Sequence, residues 1–286
     1  MKYDAPNCSS VNRSPTRRGL LGGIGAAVVA GLSGCTGATP FVGKRIEDDR
    51  TIAVEDATAL AIDARVGDVT VRGEARDDVA VHMVKQSSSV GGDLSKLDLA
   101  TERADGRLTL ATRYTGENSL LGGSPTMDLT IRVPRSFRVA DIAASVGDVL
   151  VEDVAGDLHV DSSVGDVTVD GVDGTVSAQA STGDVTVESA SAVGDVRADV
   201  GDLDLAVSAI DGDTTFETST GDIDAAIAPE LDAEIVAEAS VGDVTVEGLS
   251  LQAGTETESS ASGTLGDGGP TLRVETSTGD VTITAL

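Results

Sequence analysis

Aromatic residues, cysteine and basic residues are all scarce in this chain of 286 residues. It contains no Trp, two Tyr and three Phe, so aromatic residues make up 2% of the sequence. A compact globular core normally uses aromatic side chains as its bulkiest filler. A core of Val, Ala, Leu and Ile is thin, and this favours a repeat architecture over a sandwich or a barrel. The hydrophobic content of 40% nevertheless excludes a disordered acidic chain.

Positive charge is also scarce: 48 acidic residues face 20 basic ones, which gives a formal net charge of −28. A nucleic-acid partner is excluded because the phosphate backbone would be repelled. Among the basic residues, Arg outnumbers Lys by 16 to 4. Many acidic residues with few lysines are typical of a protein that stays soluble in concentrated salt. Together with the export signal described next, this composition predicts a halophilic, archaeal source.

The first 35 residues have the features of an export signal. Arg17 and Arg18 precede an uncharged, Gly-rich stretch, Gly19 to Gly34, which is too short for a stable membrane-spanning helix. Paired arginines before such a stretch resemble a twin-arginine signal. The stretch ends in Leu-Ser-Gly-Cys35, which resembles a lipoprotein box. We predict that residues 1–34 are removed and that Cys35 is lipidated, with 35–50 as a tether to the outer face of the cell membrane. The alternative is an ordinary signal peptide in which this cysteine occurs by chance.

Only one cysteine would remain after that cleavage. The chain has Cys8 and Cys35, and Cys8 lies within the predicted signal. The exported protein would therefore contain no disulfide, and it would be held together by burial and backbone pairing.

The rest of the chain alternates apolar and polar residues with a period of two, which predicts an all-β fold. Residues 51–139 form an N-terminal β region, and an internal repeat occupies 140–286. The repeat is Ser-(Val/Thr)-Gly-Asp-(Val/Ile), with a degenerate copy at Asp199 and a predicted loop insertion at 252–270. Full copies begin at Ser145, Ser163, Ser181, Ser219, Ser240 and Ser277.

This spacing, about 18–21 residues, indicates stacked rungs of two short strands each. One rung cannot bury its apolar side alone, whereas stacking places Val on Val continuously. We therefore predict a parallel β-solenoid for residues 140–286. A meander of antiparallel hairpins is the alternative.

The repeated Ser-x-Gly-Asp-Val-Thr-Val pattern resembles the putative-adhesin β-strand-repeat family, a family of unknown function. The resemblance covers about residues 51–286, including an opening copy at 66–71 and a strand that ends at Pro134. It implies a surface-exposed repeat protein. The insertion at 252–270 departs from the family pattern.

The sequence offers no constellation for catalysis, and we predict that the protein is not an enzyme. His82 and His159 each occupy a polar position of an alternating strand, and no cysteine remains as a nucleophile after cleavage. Arg197 is the only basic residue between 139 and 272, so the basic groove of polysaccharide-cleaving solenoids is absent.

The aspartates of the repeat would form one column if successive copies stack in register. The members of this predicted column are Asp148, Asp166, Asp184, Asp202, Asp222 and Asp243. Each is either bonded to its own turn and screened by salt, or part of a cation site for which calcium is the candidate. One carboxylate per corner is a poor calcium site, so we predict that the protein binds no metal ion and no cofactor. Calcium bound at the corners is the alternative.

These observations predict a lipid-anchored surface protein that acts in adhesion or as an envelope scaffold, with the membrane and a surface ligand or protein as its partners. A second hypothesis is an envelope-stress accessory or sensor that docks a membrane protein. An apolar patch on residues 51–139 would favour it. A polysaccharide-active enzyme is the third hypothesis, and it would require a groove with clustered aromatic residues.

Overall fold

The computed structural model describes residues 43–88, 93–116 and 125–286. Apart from one turn of 3-10 helix at Leu94–Lys96, every regular element in these ranges is a strand, which confirms the all-β prediction. The strands are β1 Lys44–Ala53, β2 Ala59–Val66, β3 Val69–Glu74, β4 Asp78–Ser87, β5 Leu97–Ala104, β6 Arg107–Tyr114, β7 Thr126–Pro134, β8 Arg138–Val146, β9 Val149–Ala155, β10 Leu158–Val164, β11 Val167–Thr182, β12 Val185–Val200, β13 Leu203–Val207, β14 Thr214–Thr220, β15 Ile223–Ile227, β16 Ala233–Ala239, β17 Val244–Glu247, β18 Gln252–Glu256, β19 Ser260–Leu265, β20 Thr271–Thr278 and β21 Val281–Ala285.

The strands pair in two layers. Layer 1 has the spatial order β1, β4, β7, β3, β9, β11, β12, β13, β15, β21 and β17. Layer 2 has the order β5, β6, β2, β8, β10, β11, β12, β14, β20, β16, β19 and β18. The long strands β11 and β12 bend and contribute one half to each layer. Pairing is parallel except at β1, β4, β5, β18 and β19, which lie at the ends.

A rung consists of one layer 2 strand, a Gly-Asp corner and the following layer 1 strand. Stacking in register places like residues above one another, as Val167 lies between Val149 and Val185. The result is a β-solenoid-like repeat. Its inward column in layer 1 is apolar throughout and consists of Met83, Leu129, Val69, Val149, Val167, Val185, Leu203, Ile223, Val281 and Val244.

This column explains how a chain with few aromatic side chains forms a core, in which Phe137 and Phe216 are the buried aromatic residues of the described ranges. Its members are all buried, and similar columns from layer 2 face them. Burying a side chain of this size contributes roughly 1.5–3 kcal/mol. Most of the side chains buried between the two layers are Val, Ala, Leu and Ile, so the core is thin, as the composition predicts.

Small residues occupy the inward position next to each corner, where the two layers meet. Most are alanines, but Ser162, Thr218 and Thr276 are buried hydroxyls. Thr218 donates to the Gly201 carbonyl at 2.9 Å, and Thr276 donates to the Gly221 carbonyl at 3.0 Å. Their polar atoms are therefore satisfied, which removes the cost of burying them.

The rungs do not stack in chain order at either end. The C-terminal rung, β20 and β21, lies between β14–β15 and β16–β17 and pairs with both in parallel. At the other end, β2 and β3 lie between β6–β7 and β8–β9. Residues 51–139 therefore belong to the same two layers as the repeat, and the predicted boundary at 139/140 is not a structural one.

Two further segment predictions are corrected by the strands. β1 begins at Lys44, inside the segment 35–50 that was predicted as a tether, because it pairs with β4 along ten residues. The insertion predicted as a loop at 252–270 contains the antiparallel strands β18 and β19. β19 pairs with β16, so the insertion extends layer 2.

Arg50 closes the N-terminal end of the core. It lies on β1, the edge strand of layer 1, and donates to the Leu99 carbonyl at 2.7 Å and to the Asp98 carboxylate at 2.5 Å. Both acceptors belong to β5, the edge strand of layer 2. The hydrogen bond from Arg50 holds the pKa of Asp98 below its ordinary value of 3.8.

The lowered pKa of Asp98 predicts a contribution to stability that depends on pH. Because the folded-state pKa is below the unfolded one, the contribution is present above about pH 4 and is lost as the pH falls through the folded value. We expect the melting temperature to fall less for Asp98→Asn than for wild type between pH 5 and pH 3. Thermal melts by circular dichroism over that range test this, with Asp161→Asn, an exposed aspartate without an ion pair in the described ranges, as control. Parallel curves for wild type and Asp98→Asn would contradict it.

Candidate functional site

The Gly-Asp corners lie on one edge of the stack and repeat the same backbone geometry. At each corner the glycine N–H donates to the residue before the next glycine, as Gly147 does to the Val164 carbonyl at 2.9 Å. The residue after each aspartate donates to the next aspartate carbonyl, as Val149 does to Asp166 at 2.8 Å. The backbone ladder therefore continues through the corners without interruption.

The aspartates of these corners form one continuous hydrogen-bonded line, which we call the Asp column. In each step an aspartate N–H donates to the carboxylate of the aspartate on the neighbouring rung, at 2.7–3.3 Å. The order is Asp128, Asp68, Asp148, Asp166, Asp184, Asp202, Asp222, Asp280 and Asp243. In each of these steps one carboxylate oxygen, Oδ1, accepts a hydrogen bond from a backbone N–H of the neighbouring rung.

The Asp column differs from the expected one in three respects. Asp280 lies between Asp222 and Asp243, because the C-terminal rung is inserted there. Asp68 and Asp128 extend the column at the other end. Each carboxylate except that of Asp243, the last member, accepts from the neighbouring rung, so the alternative in which each aspartate bonds to its own turn is wrong for the others. The order of the rungs, which the sequence motif does not specify, is the reason for the first two differences.

Two exposed rows run beside the Asp column. The Val row includes Val146, Val164, Val200 and Val241, which are 45%, 47%, 50% and 65% exposed, with threonines at the intervening rungs. The Ser row consists of the first residue of each motif copy, exposed in layer 2, which is a serine in six copies and Asp199 in the degenerate one. Hydroxyls, methyl groups and carboxylates thus lie in parallel lines, and along each line the groups of successive rungs are about 4.8 Å apart.

Charge is distributed unevenly along the stack. Residues 140–286 contain 31 acidic residues but only two basic ones, Arg197 and Arg273. Both are paired, Arg197 with Glu217 at 3.7 Å and Arg273 with Glu275 at 2.7 Å. The remaining described arginines lie before residue 140, so the N-terminal part is nearly neutral and the rest is strongly acidic.

A cavity of about 340 Å³ opens on layer 2 near the N-terminal end of the Ser row. Its lining includes Asp63, Arg65, Thr112, Tyr114 and Ser145. A neighbouring cavity of about 240 Å³ shares Arg65, Thr112 and Tyr114 and adds apolar groups. The sequence gives no sign of this site, because its residues come from three strands and carry no motif.

The model of the Toastrack DUF4097 family matches the chain twice, over residues 57–192 and 128–284. The chain belongs to the Toastrack DUF4097 family. The two matches span the strands from β2 to β21, so the Toastrack pattern includes both the region before residue 140 and the repeat after it.

Solved structures similar to this Toastrack chain are distant in sequence. A putative adhesin from Bacteroides fragilis is 17% identical, with 85% of this chain and 97% of that chain covered and a TM-score of 0.48. A putative cell adhesion protein from Clostridium sporogenes is 13% identical, with coverages of 85% and 100% and a TM-score of 0.36. A putative lipid binding protein from Parabacteroides distasonis is 12% identical, with coverages of 82% and 96% and a TM-score of 0.42. The curated proteins contain no match.

The remaining predicted positions of the Toastrack chain are scattered. His82 is half-buried and its Nδ1 lies 2.8 Å from the Asp49 carboxylate, whereas His159 is exposed on another strand. No group of three or more His, Cys, Asp and Glu side chains in the described ranges is arranged to hold a metal ion. Arg17, Arg18 and Cys35 lie outside the described residues. Within those residues no helix has the length and apolar character needed to cross a membrane.

Proposed function

We propose that this Toastrack chain is a non-enzymatic, lipid-anchored protein of the cell surface that acts in adhesion or as an envelope scaffold. In this proposal the rungs form one parallel β-solenoid, and its exposed rows make the contacts. The observation that carries it is the repetition of the Ser row, Val row and Asp column along the stack. A surface that repeats at every rung suits many weak, additive contacts rather than one reaction centre.

The export signal and the charge support the same proposal. In this proposal the paired arginines direct export and are removed with the signal. The lipid on Cys35 is the anchor, since each buried lipid methylene contributes about 0.8 kcal/mol to membrane binding. The acidic residues keep the body soluble, and in molar salt, as expected for a halophile, their repulsion is screened within about 3 Å.

The sensor hypothesis receives less support. It requires an apolar patch on residues 51–139 for a membrane partner. In the described part of the chain, the large exposed apolar side chains are Ile46, Val146, Val164, Val200, Val241 and Leu286, none of them in that region. The Val row instead lies along the repeat, where it is available to an adhesive or scaffold partner.

The anchor is tested by replacing Cys35. We expect Cys35→Ser to move the protein from the membrane fraction to the medium or the soluble fraction, because the site of lipidation is lost. Cys8→Ser is the matched control and leaves the protein at the membrane. Protease treatment of intact cells shows whether the chain faces outward, and Arg17→Lys with Arg18→Lys should abolish that exposure. Retention of Cys35→Ser in the membrane would contradict lipid anchoring.

A further inference from the structure

Arg65 differs from every other arginine in the described part of the chain. The others each form an ion pair with a carboxylate, as Arg113 does with Glu102 at 2.9 Å. Among the described residues the Arg65 guanidinium has no such partner, although the protein carries a net charge of −28. An unpaired guanidinium in so acidic a protein has a free bidentate donor pair, which matches a carboxylate on a ligand.

Arg65 is held at the mouth of the layer 2 cavity. Its backbone N–H donates to the Thr112 hydroxyl at 2.8 Å, and Thr112 is buried, so this part of β2 is fixed. In the register of β2 and β8 it stands opposite Ser145, where the Ser row begins. The cavity therefore joins one cationic group, which has no ion pair among the described residues, to the first serine of the Ser row.

The other lining groups suit a sugar ring. Tyr114 lines both neighbouring cavities, and a tyrosine ring provides a flat apolar surface with a polar end. Hydroxyls of Thr112 and Ser145 can donate to or accept from sugar hydroxyls. The volume of about 340 Å³ lies at the lower end of small-molecule sites.

We propose that this cavity binds a single acidic sugar, a hexuronate, with its carboxylate on Arg65 and its ring against Tyr114. Asp63 also lines the cavity, and it disfavours a second carboxylate on the same ligand. The ligand is therefore one acidic sugar among neutral ones rather than a run of uronates. The proposed site names a ligand class for the adhesive surface of the proposed function. Its biological role therefore rests on that function.

The absence of Trp makes tyrosine fluorescence a direct probe of this site. The chain contains only Tyr3 and Tyr114, so in a Tyr3→Phe background the emission comes from Tyr114 alone. We would titrate this full-length variant with glucuronate, and separately with glucose, acetate and polygalacturonate, at the lowest salt concentration that preserves its melting temperature. We expect saturable binding of glucuronate, with glucose and acetate at least tenfold weaker and polygalacturonate no tighter per residue.

Substitutions at Arg65 test the assignment. Arg65→Gln should weaken glucuronate binding at least tenfold with an unchanged melting temperature, and Arg65→Lys should retain part of it. Arg132→Gln, which removes an arginine paired with Glu74 in layer 1, is the matched control and should bind normally. Equal binding of acetate would overturn the assignment to a sugar. No saturable binding of glucuronate, or unchanged binding by Arg65→Gln, would overturn the site, while leaving surface anchoring, which is measured on cells, untouched.

Discussion

Replacing Gly165 by alanine is expected to lower the free energy of unfolding by roughly 3–5 kcal/mol. Gly165 has φ of +135°, and an added Cβ would lie 2.2 Å from the carbonyl oxygen of Gly147 on the neighbouring rung. Relief of this clash requires the two rungs to separate at the corner. The hydrogen bond from Gly147 to the Val164 carbonyl would then weaken. At about 2–4 °C per kcal/mol for a domain of this size, the melting temperature should fall by about 6–20 °C.

Gly212→Ala separates backbone strain from the close approach of the rungs. Gly212 also has a positive φ, +92°, but nothing lies within 4 Å of the added Cβ. Its expected cost is therefore the strain alone, roughly 1 kcal/mol. Thermal and denaturant melts of both variants measure the difference. Equal losses would show that the approach of the rungs contributes nothing, which would contradict the stacked corner.

The sequence allowed the inward side of the strands to be predicted, because a period of two is a local property. Val149, Val167 and Val185 are apolar, alternate with polar residues and are all buried. The recurrence of Gly-Asp likewise indicated where the chain turns, since few other residues adopt the positive φ found at Gly147 and Gly165.

The order of the rungs could not be predicted, because identical motifs specify stacking without specifying the neighbour. The copies at Ser219, Ser240 and Ser277 are equivalent in sequence, yet the third lies between the other two. Antiparallel strands at both ends cover the outermost rungs, and their pairing depends on the complete stack. The motifs alone would suggest that rungs stack in the order of the chain, but pairing between distant segments places them in a different order.

The candidate site was hidden for a related reason. Among the residues that the structure describes, Arg65 is distinguished by the lack of an ion pair, and ion pairs such as Arg107–Asp141 join residues far apart in the chain. Spacing alone gives no sign of which arginine is left over. The Asp column was visible as a repeat, but its acceptors became clear only when neighbouring rungs were placed side by side.

Neutralising three consecutive members of the Asp column is expected to change stability with a sign that depends on salt. In Asp166→Asn, Asp184→Asn and Asp202→Asn combined, each side chain keeps an oxygen for the N–H of the next rung. Neighbouring carboxylates about 4.8 Å apart repel by about 0.9 kcal/mol per pair even in a water-like dielectric. Removing four such pairs should stabilise the fold by about 2 kcal/mol at low salt, because the loss of charge assistance in three hydrogen bonds, roughly 0.5 kcal/mol each, offsets only part of the gain.

In molar salt the repulsion is screened and only the weaker hydrogen bonds remain, so the triple variant should become slightly less stable than wild type. Melting temperatures across a salt series should therefore cross. The control replaces three exposed aspartates outside the column, Asp161, Asp199 and Asp211, by asparagine, and its curve should stay closer to wild type at low salt. Adding micromolar calcium at fixed ionic strength distinguishes diffuse screening from discrete calcium sites. If discrete sites exist, calcium raises the melting temperature of the wild type but not that of the triple variant. If screening is diffuse, calcium at this concentration changes neither melting temperature. Curves that never diverge would mean that the column carries no net repulsion, and that its carboxylates act in these corners only as hydrogen-bond acceptors.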